Sequence, residues 1–289
     1  MYVQQRDSAD YIRVVSEPDS GSKLYNVFEF YPNGKSKLAA KSSTIDPPKY
    51  EGDCITYYPN GKKLRIAKYR SGKVIGNSYE YYPNGKLYRI IKWLDVAEPN
   101  PYDSNTSMIA EHDSLGTALV TDSNGYYKGY DNKFKYIVEE GNIKNGKRDG
   151  QWKGVDEDVH IRFAENYDNG KLLLGMSVGE SNDTVSYKLR QVQPQYKGGI
   201  NAFSGFLANN IQYPDYERAH NVQGTVILTF IVEKNGKVSN IKVLEHVSNN
   251  IDKEAIRVLK SSPDWISGTA YGRPARVLFT QPINFSLRD

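Results

Sequence analysis

Cysteine and histidine are scarce in this sequence, and their scarcity removes several classes of site. Cys54 is the only cysteine, so an intramolecular disulfide and a multi-cysteine metal cluster are both excluded. The four histidines are far apart, and none has the spacing of a metal site or of a nucleophile signature. The acidic run 156–158 beside His160 is typical of a solvated turn rather than of a cation site. We therefore expect no metal, no cofactor and no catalytic residue.

Long apolar runs and blocks of like charge are also missing. No run approaches the ~20 apolar residues that a membrane helix needs, and the N-terminal MYVQQRDSAD lacks the apolar region of a signal peptide. We expect no membrane span in this chain and any signal or anchor to lie outside it. The net charge of +4 is spread along 289 residues without basic blocks, which argues against a nucleic-acid partner.

Proline, asparagine and glycine are concentrated in a motif that occurs three times. The sequence reads FYPNGK at 30–35 and YYPNGK at 57–62 and 81–86. In each copy Pro presets φ for the first turn position, Asn tolerates the second, and Gly takes the left-handed conformation. Polar and apolar residues alternate around the motif, so each copy predicts a β-hairpin. One short hairpin is unstable alone, and neighbouring hairpins must therefore share a core.

Tyrosine is abundant in these repeats and has two interpretations. We expect Tyr31, Tyr58 and Tyr82 to pack against the next hairpin. The alternative is an exposed stacking surface for glycans or single-stranded nucleic acid.

Diverged copies follow the three motifs. The segments GNIKNGKRDGQW at 141–152 and NYDNGKLLLG at 166–175 keep the Asn-Gly-Lys turn. These segments and the three motifs resemble MORN-type repeats, in the variant found in the YwqK-like antitoxin family. The resemblance covers residues 24–180, with a weakly patterned insertion near 98–124. It implies an interaction scaffold rather than a reaction.

A polar segment at 179–195 separates the repeats from a part of the sequence with a different pattern. The length of the whole chain, 289 residues, fits a prior of about two domains. We place the boundary near Val192, giving a repeat domain at 1–191 and a C-terminal domain at 192–289. In the second domain, apolar residues recur at helical intervals from Ile200 and stop before Pro214.

The rest of the C-terminal domain alternates between strand and helix signals. Residues 225–244 predict a hairpin around Asn235-Gly236. Asn249 or Asn250 is expected to cap the helix that follows. The last strand, 276–287, contains Pro282, which is tolerated chiefly on an edge strand. An unpaired edge can accept a partner strand by β-augmentation.

These segments together resemble the C-terminal domain of TonB, the energy transducer of bacterial outer-membrane receptors. The resemblance rests on YKGG, IQYP, VQGTVILTFIVEKNGKVSNIKVL, DKEAIRVLKSSPDW and GRPARVLFTQPINF, and it spans 196–287. It implies a three-stranded antiparallel sheet with two helices. The predicted fold class is thus α+β and β-rich, with an N-terminal array of hairpin repeats before this domain.

The resemblance also implies a partner and a site. Members of the family bind the TonB box of a TonB-dependent outer-membrane receptor, a short extended peptide that pairs with the exposed strand. The residues implicated here are Asn210, Ile211, Gln212, Tyr213, Pro214, Val277, Phe279, Gln281, Ile283, Asn284 and Phe285. For Tyr213-Pro214, simple termination of the helix is the alternative interpretation.

Two features depart from the family. The chain has no anchoring helix or proline-rich spacer, and Lys197 stands where related sequences often carry Pro. The resemblance implies a location in the periplasm or cell envelope of a Gram-negative bacterium. The alternative functions are an envelope scaffold whose repeats bind a protein or a glycan, and a hydrolase using carboxylates that meet only in the folded chain. Exchange of the last strand between two copies is a further alternative for the open edge.

Overall fold

The computed structural model describes residues 9–95 and 105–287. The chain divides into two compact units, Met1–Leu174 and Gly175–Asp289. Both are rich in antiparallel strands, and helices occur only in the second unit within the described residues. The predicted β-rich α+β fold class is therefore confirmed. The boundary near Val192 stays a prediction. No helix among the described residues is long and apolar enough to span a membrane.

The first unit is a meander in which each strand from β1 to β13 pairs antiparallel with the next one along the chain. The strands are β1 (Ile12–Ser16), β2 (Tyr25–Phe30), β3 (Ser36–Ser42), β4 (Tyr50–Tyr57), β5 (Lys63–Arg70), β6 (Lys73–Tyr81), β7 (Leu87–Trp93), β8 (Thr106–His112), β9 (Ala118–Thr121), β10 (Asn124–Tyr130), β11 (Ile137–Lys144), β12 (Lys147–Asp156) and β13 (Ile161–Asp168).

The repeated Tyr-Pro-Asn-Gly-Lys sequence bonds each turn to the next one. In the middle copy, Tyr58 donates to the Tyr81 carbonyl at 2.7 Å and Lys62 donates to the Asn84 carbonyl at 2.6 Å. Asn60 donates to the Pro83 carbonyl at 2.9 Å. The first copy makes the same three bonds to the second: Tyr31 to the Tyr57 carbonyl, Asn33 to that of Pro59 and Lys35 to that of Asn60. The expectation that these tyrosines pack against the next hairpin is confirmed.

The third copy donates to a turn that lacks the motif. Tyr82, Asn84 and Lys86 bond to carbonyls of His112, Ser114 and Leu115. These carbonyls belong to the turn between β8 and β9, so this hairpin continues the array. The expectation of a weakly patterned insertion is therefore wrong for 105–124, while 98–104 lies outside the described residues. The turn, Asp-Ser-Leu-Gly-Thr, has no Asn-Gly pair, and its signal is instead Asp113 at the first position with Gly116 at the fourth.

The diverged copies form hairpins through a different turn. Asn145 and Gly146 both have positive φ, at 52° and 77°, as do Asn169 and Gly170, at 46° and 88°. Two consecutive left-handed residues are typical of the two-residue type I′ turn. In the Tyr-Pro-Asn-Gly-Lys copies only the Gly has positive φ, for example 90° at Gly61. The shared letters Asn-Gly-Lys therefore do not mean a shared turn.

A carboxyl group is fully buried where β7, β8 and β10 approach one another. Glu111 has 0% exposure, and one of its oxygens accepts the Lys128 N–H at 3.0 Å while the other has no partner among the described residues. Its cross-strand neighbour Arg89 is held by Glu80 at 2.7 Å and donates to the Tyr127 hydroxyl at 2.9 Å. Burial raises the pKa of Glu111 to about 8, so this carboxyl is mainly protonated at neutral pH.

The second unit contains the end of β14 (Lys171–Val178), which pairs with β15 (Thr184–Tyr187), followed by two further sheets. A small sheet joins β16 (Gln191–Val192), β19 (Thr269–Ala270) and β20 (Arg273–Pro274). The remaining elements are α1 (Gly199–Asn210), α2 (Asp215–Ala219), β17 (Gly224–Val232), β18 (Val238–Glu245), α3 (Asn249–Lys260) and β21 (Val277–Phe285). The large core residues Phe203, Phe230 and Leu259 are almost or completely buried between these helices and the sheet of β17, β18 and β21.

The predicted hairpin around Asn235-Gly236 is confirmed, and the predicted cap of α3 is wrong. Ser248, not Asn249 or Asn250, is the N-cap, and its hydroxyl oxygen accepts the Ile251 N–H at 3.2 Å. The same hydroxyl donates to Glu217 at 2.8 Å. Ser248 is the cap because Glu217 on α2 holds its side chain in place, while the Asn250 side chain donates to Glu217 instead of capping the helix.

The polar segment before the C-terminal elements is tied down by one arginine. Arg273 on β20 donates to the Asp183 side chain at 2.6 Å, to the Asp183 carbonyl at 2.7 Å and to the Ser177 hydroxyl at 3.1 Å. The Ser177 hydroxyl in turn donates to the Tyr271 carbonyl at 2.8 Å. Strands β14 and β15 are therefore clamped to the small sheet within the second unit.

Candidate functional site

The C-terminal sheet has a long and regular edge. Its strand order is β18, β17, β21, so β21 has β17 on one side and no strand of the described chain on the other. The pairing of β21 with β17 runs without a register shift from Val277↔Val232 to Phe285↔Gly224. The expectation that the last strand lies at a sheet edge is confirmed.

Pro282 shows which backbone groups of β21 face away from β17. Within a strand, the N–H and C=O of one residue point to the same side, and successive residues alternate. Pro282 has no N–H and stands opposite Ile227, a position that suits a residue facing away from β17. Because the register is unbroken, Leu278, Thr280 and Asn284 face the free side as well.

The opposite edge of the sheet is irregular. Pairing of β18 with β17 shifts twice, and Asn240 on β18 has a positive φ of 50°. A bulge of this kind twists an edge and discourages strand addition. The edge of β21 is thus the better of the two for accepting another strand.

The segment Asn210–Pro214 links α1 to α2 and is fixed by α3. Helix α1 ends at Asn210, whose carbonyl accepts from Arg257 at 2.7 Å, and the Gln212 N–H donates to Glu254 at 2.6 Å. Burial opposes ionisation of Glu254, but hydrogen bonds from Arg257 and the Gln212 N–H outweigh it and hold the pKa of this carboxyl below its usual value. Glu254 is therefore an ionised anchor for the segment.

Tyr213 joins this segment to the end of β21. Its ring meets Phe285 edge to face, with 5.9 Å between ring centroids, and its hydroxyl donates to the Val222 carbonyl at 2.6 Å. Pro214 follows as the residue that precedes the first turn of α2. Since α1 has already ended at Asn210, Tyr213-Pro214 is not what terminates that helix.

A groove of about 720 Å³ opens beside this segment between α2 and α3. Its lining residues are Gln212, Tyr213, Pro214, Asp215, Arg218, Asn250, Lys253, Glu254 and Arg257. Arg218 is fixed by donation to the Tyr213 carbonyl at 2.8 Å. The contribution of α3 to this groove was not predicted, although the Glu254-Arg257 pair at i, i+3 is a visible signal of a charged helix face.

The predicted site residues form two groups that touch at one point. Asn210, Ile211, Gln212, Tyr213 and Pro214 line or border the groove, and the other six lie on β21. The odd-numbered ones among those six, Val277, Phe279, Gln281, Ile283 and Phe285, direct their backbone N–H and C=O groups toward β17, and among the six Asn284 alone directs them to the free side. The contact of Tyr213 with Phe285 joins the groups. Their role in partner binding stays a prediction.

No group of three or more His, Cys, Asp or Glu side chains within 9–95 and 105–287 is arranged to hold a metal ion. The chemistry that the arrangement offers is instead recognition by backbone hydrogen bonds along an edge, with a polar groove nearby.

Comparison with known families agrees with this geometry. Residues 209–287 match the family described as Gram-negative bacterial TonB protein C-terminal. Residues 50–74 and 75–95 each match the MORN repeat variant. No curated protein matches the chain. Both predicted resemblances are confirmed, that to the TonB C-terminal domain over 209–287 and that to MORN-type repeats over 50–95.

Proposed function

We propose that this protein acts in the cell envelope of a Gram-negative bacterium, where its C-terminal domain binds the TonB box of an outer-membrane receptor by strand addition to β21. The protein thereby takes part in receptor-dependent transport. The observation that carries the proposal is the unbroken nine-residue pairing of β21 with β17, which leaves the other side of β21 open. A family match over 209–287 supports it.

Strand addition uses backbone groups for affinity and side chains for selectivity. The core that packs against β21 supports this role. Ile283 and Phe285 are 0% and 1% exposed, so the strand is held firmly from behind. A rigid edge loses little conformational entropy when a partner binds.

The test is a titration of the full chain, labelled with ¹⁵N, by a synthetic TonB-box peptide. We expect the amide resonances of Leu278 and Thr280 to shift progressively, because their N–H groups face the free edge. A peptide of the same composition in scrambled order is the control. Absence of any shift along β21 at millimolar peptide contradicts the proposal.

An apolar row on the repeat unit favours a second candidate function. Cross-strand pairing aligns eight apolar side chains from β1 to β8 on one sheet face: Val14, Phe28, Ala39, Ile55, Ile66, Tyr79, Ile90 and Ala110. All are at least partly accessible, with Val14 at 45% and Phe28 at 38%. Accessible apolar rows of this length are typical of interaction surfaces. We propose as the alternative an envelope scaffold whose repeats bind a protein or a glycan.

Substitution within this row separates the two candidates. Ile66→Lys places a charge at the centre of the apolar row, on an accessible strand position. Lys68→Ile is the matched control, since it replaces a charge by an apolar side chain at the neighbouring exposed position on the same face. If the repeats bind an envelope component, retention of that component by the full chain is lost in Ile66→Lys while TonB-box binding is unchanged. Equal retention by wild type and Ile66→Lys contradicts the scaffold function.

A further inference from the structure

The free edge of β21 is not uniform along its length. Leu278 and Thr280 each offer a free N–H and a free C=O, because both residues face away from β17 and their carbonyls have no hydrogen-bond partner among the described residues. Leu278 is 69% exposed, and it lies cross-strand from Ile231. In the first half of the edge, every outward backbone donor and acceptor is therefore free to bond another strand.

At Pro282 the free edge has a gap, because one backbone group is missing and the other is already engaged. Proline supplies no N–H, and its carbonyl already accepts the side-chain amide of Gln281 at 3.0 Å. Beyond this gap only Asn284 faces the free side within β21, and its side-chain oxygen is bonded by the Thr225 hydroxyl at 3.3 Å. Natural edge strands use such interruptions to limit pairing.

We propose that the partner strand pairs only with the first half of β21, Val277–Gln281, and ends at Pro282. This inference rests on the proposed function and specifies its register. The partner is a short extended segment that exchanges backbone hydrogen bonds in two pairs, with Leu278 and with Thr280.

The side chains of β21 define the chemistry of that segment. The residue opposite Leu278 lies on the accessible sheet face, where Leu278 and Ile231 offer apolar contact, so an apolar side chain fits best there. Two positions away, the residue opposite Thr280 meets a β-branched hydroxyl side chain and its cross-strand partner Thr229. A β-branched or hydroxyl residue is favoured at that position.

Proline substitution on either side of the gap tests the register. Thr280→Pro removes one outward N–H without removing a bond to β17, and native Pro282 shows that the strand accepts proline at this parity. We expect Thr280→Pro to weaken binding of the synthetic TonB-box peptide by about tenfold, measured by calorimetry on the full chain. Asn284→Pro removes the outward N–H beyond the gap, at a predicted site residue that this inference places outside the paired segment, and we expect its dissociation constant to stay within about twofold of wild type.

Amide hydrogen exchange of the unsubstituted chain gives a readout that does not depend on folding of a variant. With peptide bound, we expect exchange at Leu278 and Thr280 to slow and exchange at Asn284 to stay unchanged. Pro282→Thr supplies the missing donor, and we expect it to tighten binding and to slow exchange at residue 284 as well.

The outcomes separate this inference from the function on which it rests. If the wild-type chain does not bind the peptide, the proposed function is overturned. If the peptide binds but Asn284→Pro weakens it as much as Thr280→Pro, or exchange at Asn284 slows equally, pairing crosses the gap and the inference is overturned while strand addition stands. If neither proline affects binding and exchange along β21 is unchanged, the peptide binds elsewhere and both are overturned.

Discussion

Removing the Tyr58 hydroxyl deletes one of the three bonds with which the second repeat holds the third. In Tyr58→Phe the ring stays in place and only the donor to the Tyr81 carbonyl, at 2.7 Å, is lost. The Tyr58 hydroxyl is partly desolvated, and this burial raises the pKa of Tyr58 to about 12. The substitution is therefore a change in hydrogen bonding with almost no change in packing.

The expected loss follows from that single bond. A hydrogen bond of this type contributes about 0.5–1.5 kcal/mol net, so the free energy of unfolding of the repeat unit should fall by about 1 kcal/mol. For a unit of this size, 1 kcal/mol lowers Tm by roughly 2–4 °C. Combining Tyr58→Phe with Lys62→Met, which removes the donor to the Asn84 carbonyl, should lower Tm further.

Tyr57→Phe is the matched control. Tyr57 is the neighbouring residue in the same motif, and its hydroxyl has no hydrogen-bond partner among the described residues. Scanning calorimetry of the full chain and both variants measures the effect on the repeat unit. If Tyr57→Phe and Tyr58→Phe lower Tm equally, or if Tyr58→Phe has no effect, the inter-turn bonds do not stabilise the array.

Three further changes test other parts of the fold. Burial raises the pKa of Glu111 to about 8 from the ordinary value of 4.5, so the folded state binds the proton more tightly and the free energy of unfolding should fall as pH rises from about 4.5 to 8. Glu111→Gln should reduce the difference in unfolding free energy between pH 5 and pH 8, measured by urea unfolding. An unchanged difference would contradict a raised pKa at Glu111. Ser248→Ala removes the cap of α3 and should cost about 1 kcal/mol of unfolding free energy, whereas Asn249→Ala should cost less; the reverse order contradicts the observed cap. Arg273→Lys cannot reproduce the bonds to Asp183 and Ser177, so limited proteolysis should cleave the 179–190 segment faster than in wild type, and equal rates would show that the clamp is dispensable.

Local signals in the sequence were sufficient for the turns and for the alternation of the strands. Gly at the left-handed position of Tyr-Pro-Asn-Gly and Asn235-Gly236 in the C-terminal hairpin specify their conformations through neighbouring residues alone. The hydrophobic alternation of β21 likewise identified its buried face, and Pro282 identified it as an edge strand. These features depend on backbone conformation and on one proline.

Features set by distant residues were not accessible from the sequence. Ser248 caps α3 partly because Glu217, from another helix, binds its hydroxyl. The hairpin of β8 and β9 forms its turn around Asp113, but its place in the array depends on donors from the preceding repeat. The small sheet uses strands of two residues each, too short to give a periodic pattern. The charges lining the groove meet only after α2 and α3 pack.

The three-bond contact between successive turns has a direction. Each Tyr-Pro-Asn-Gly-Lys turn gives all three donors to the turn that follows it, and the second and third copies accept from the copy that precedes them. A whole repeat inserted between two existing copies would therefore reproduce every contact on both of its sides, so the array can lengthen by internal duplication in steps of two strands. The Asp-Ser-Leu-Gly-Thr turn accepts these donors but carries none of them, so the series of three-bond contacts ends at its position while the sheet continues into β9 and β10.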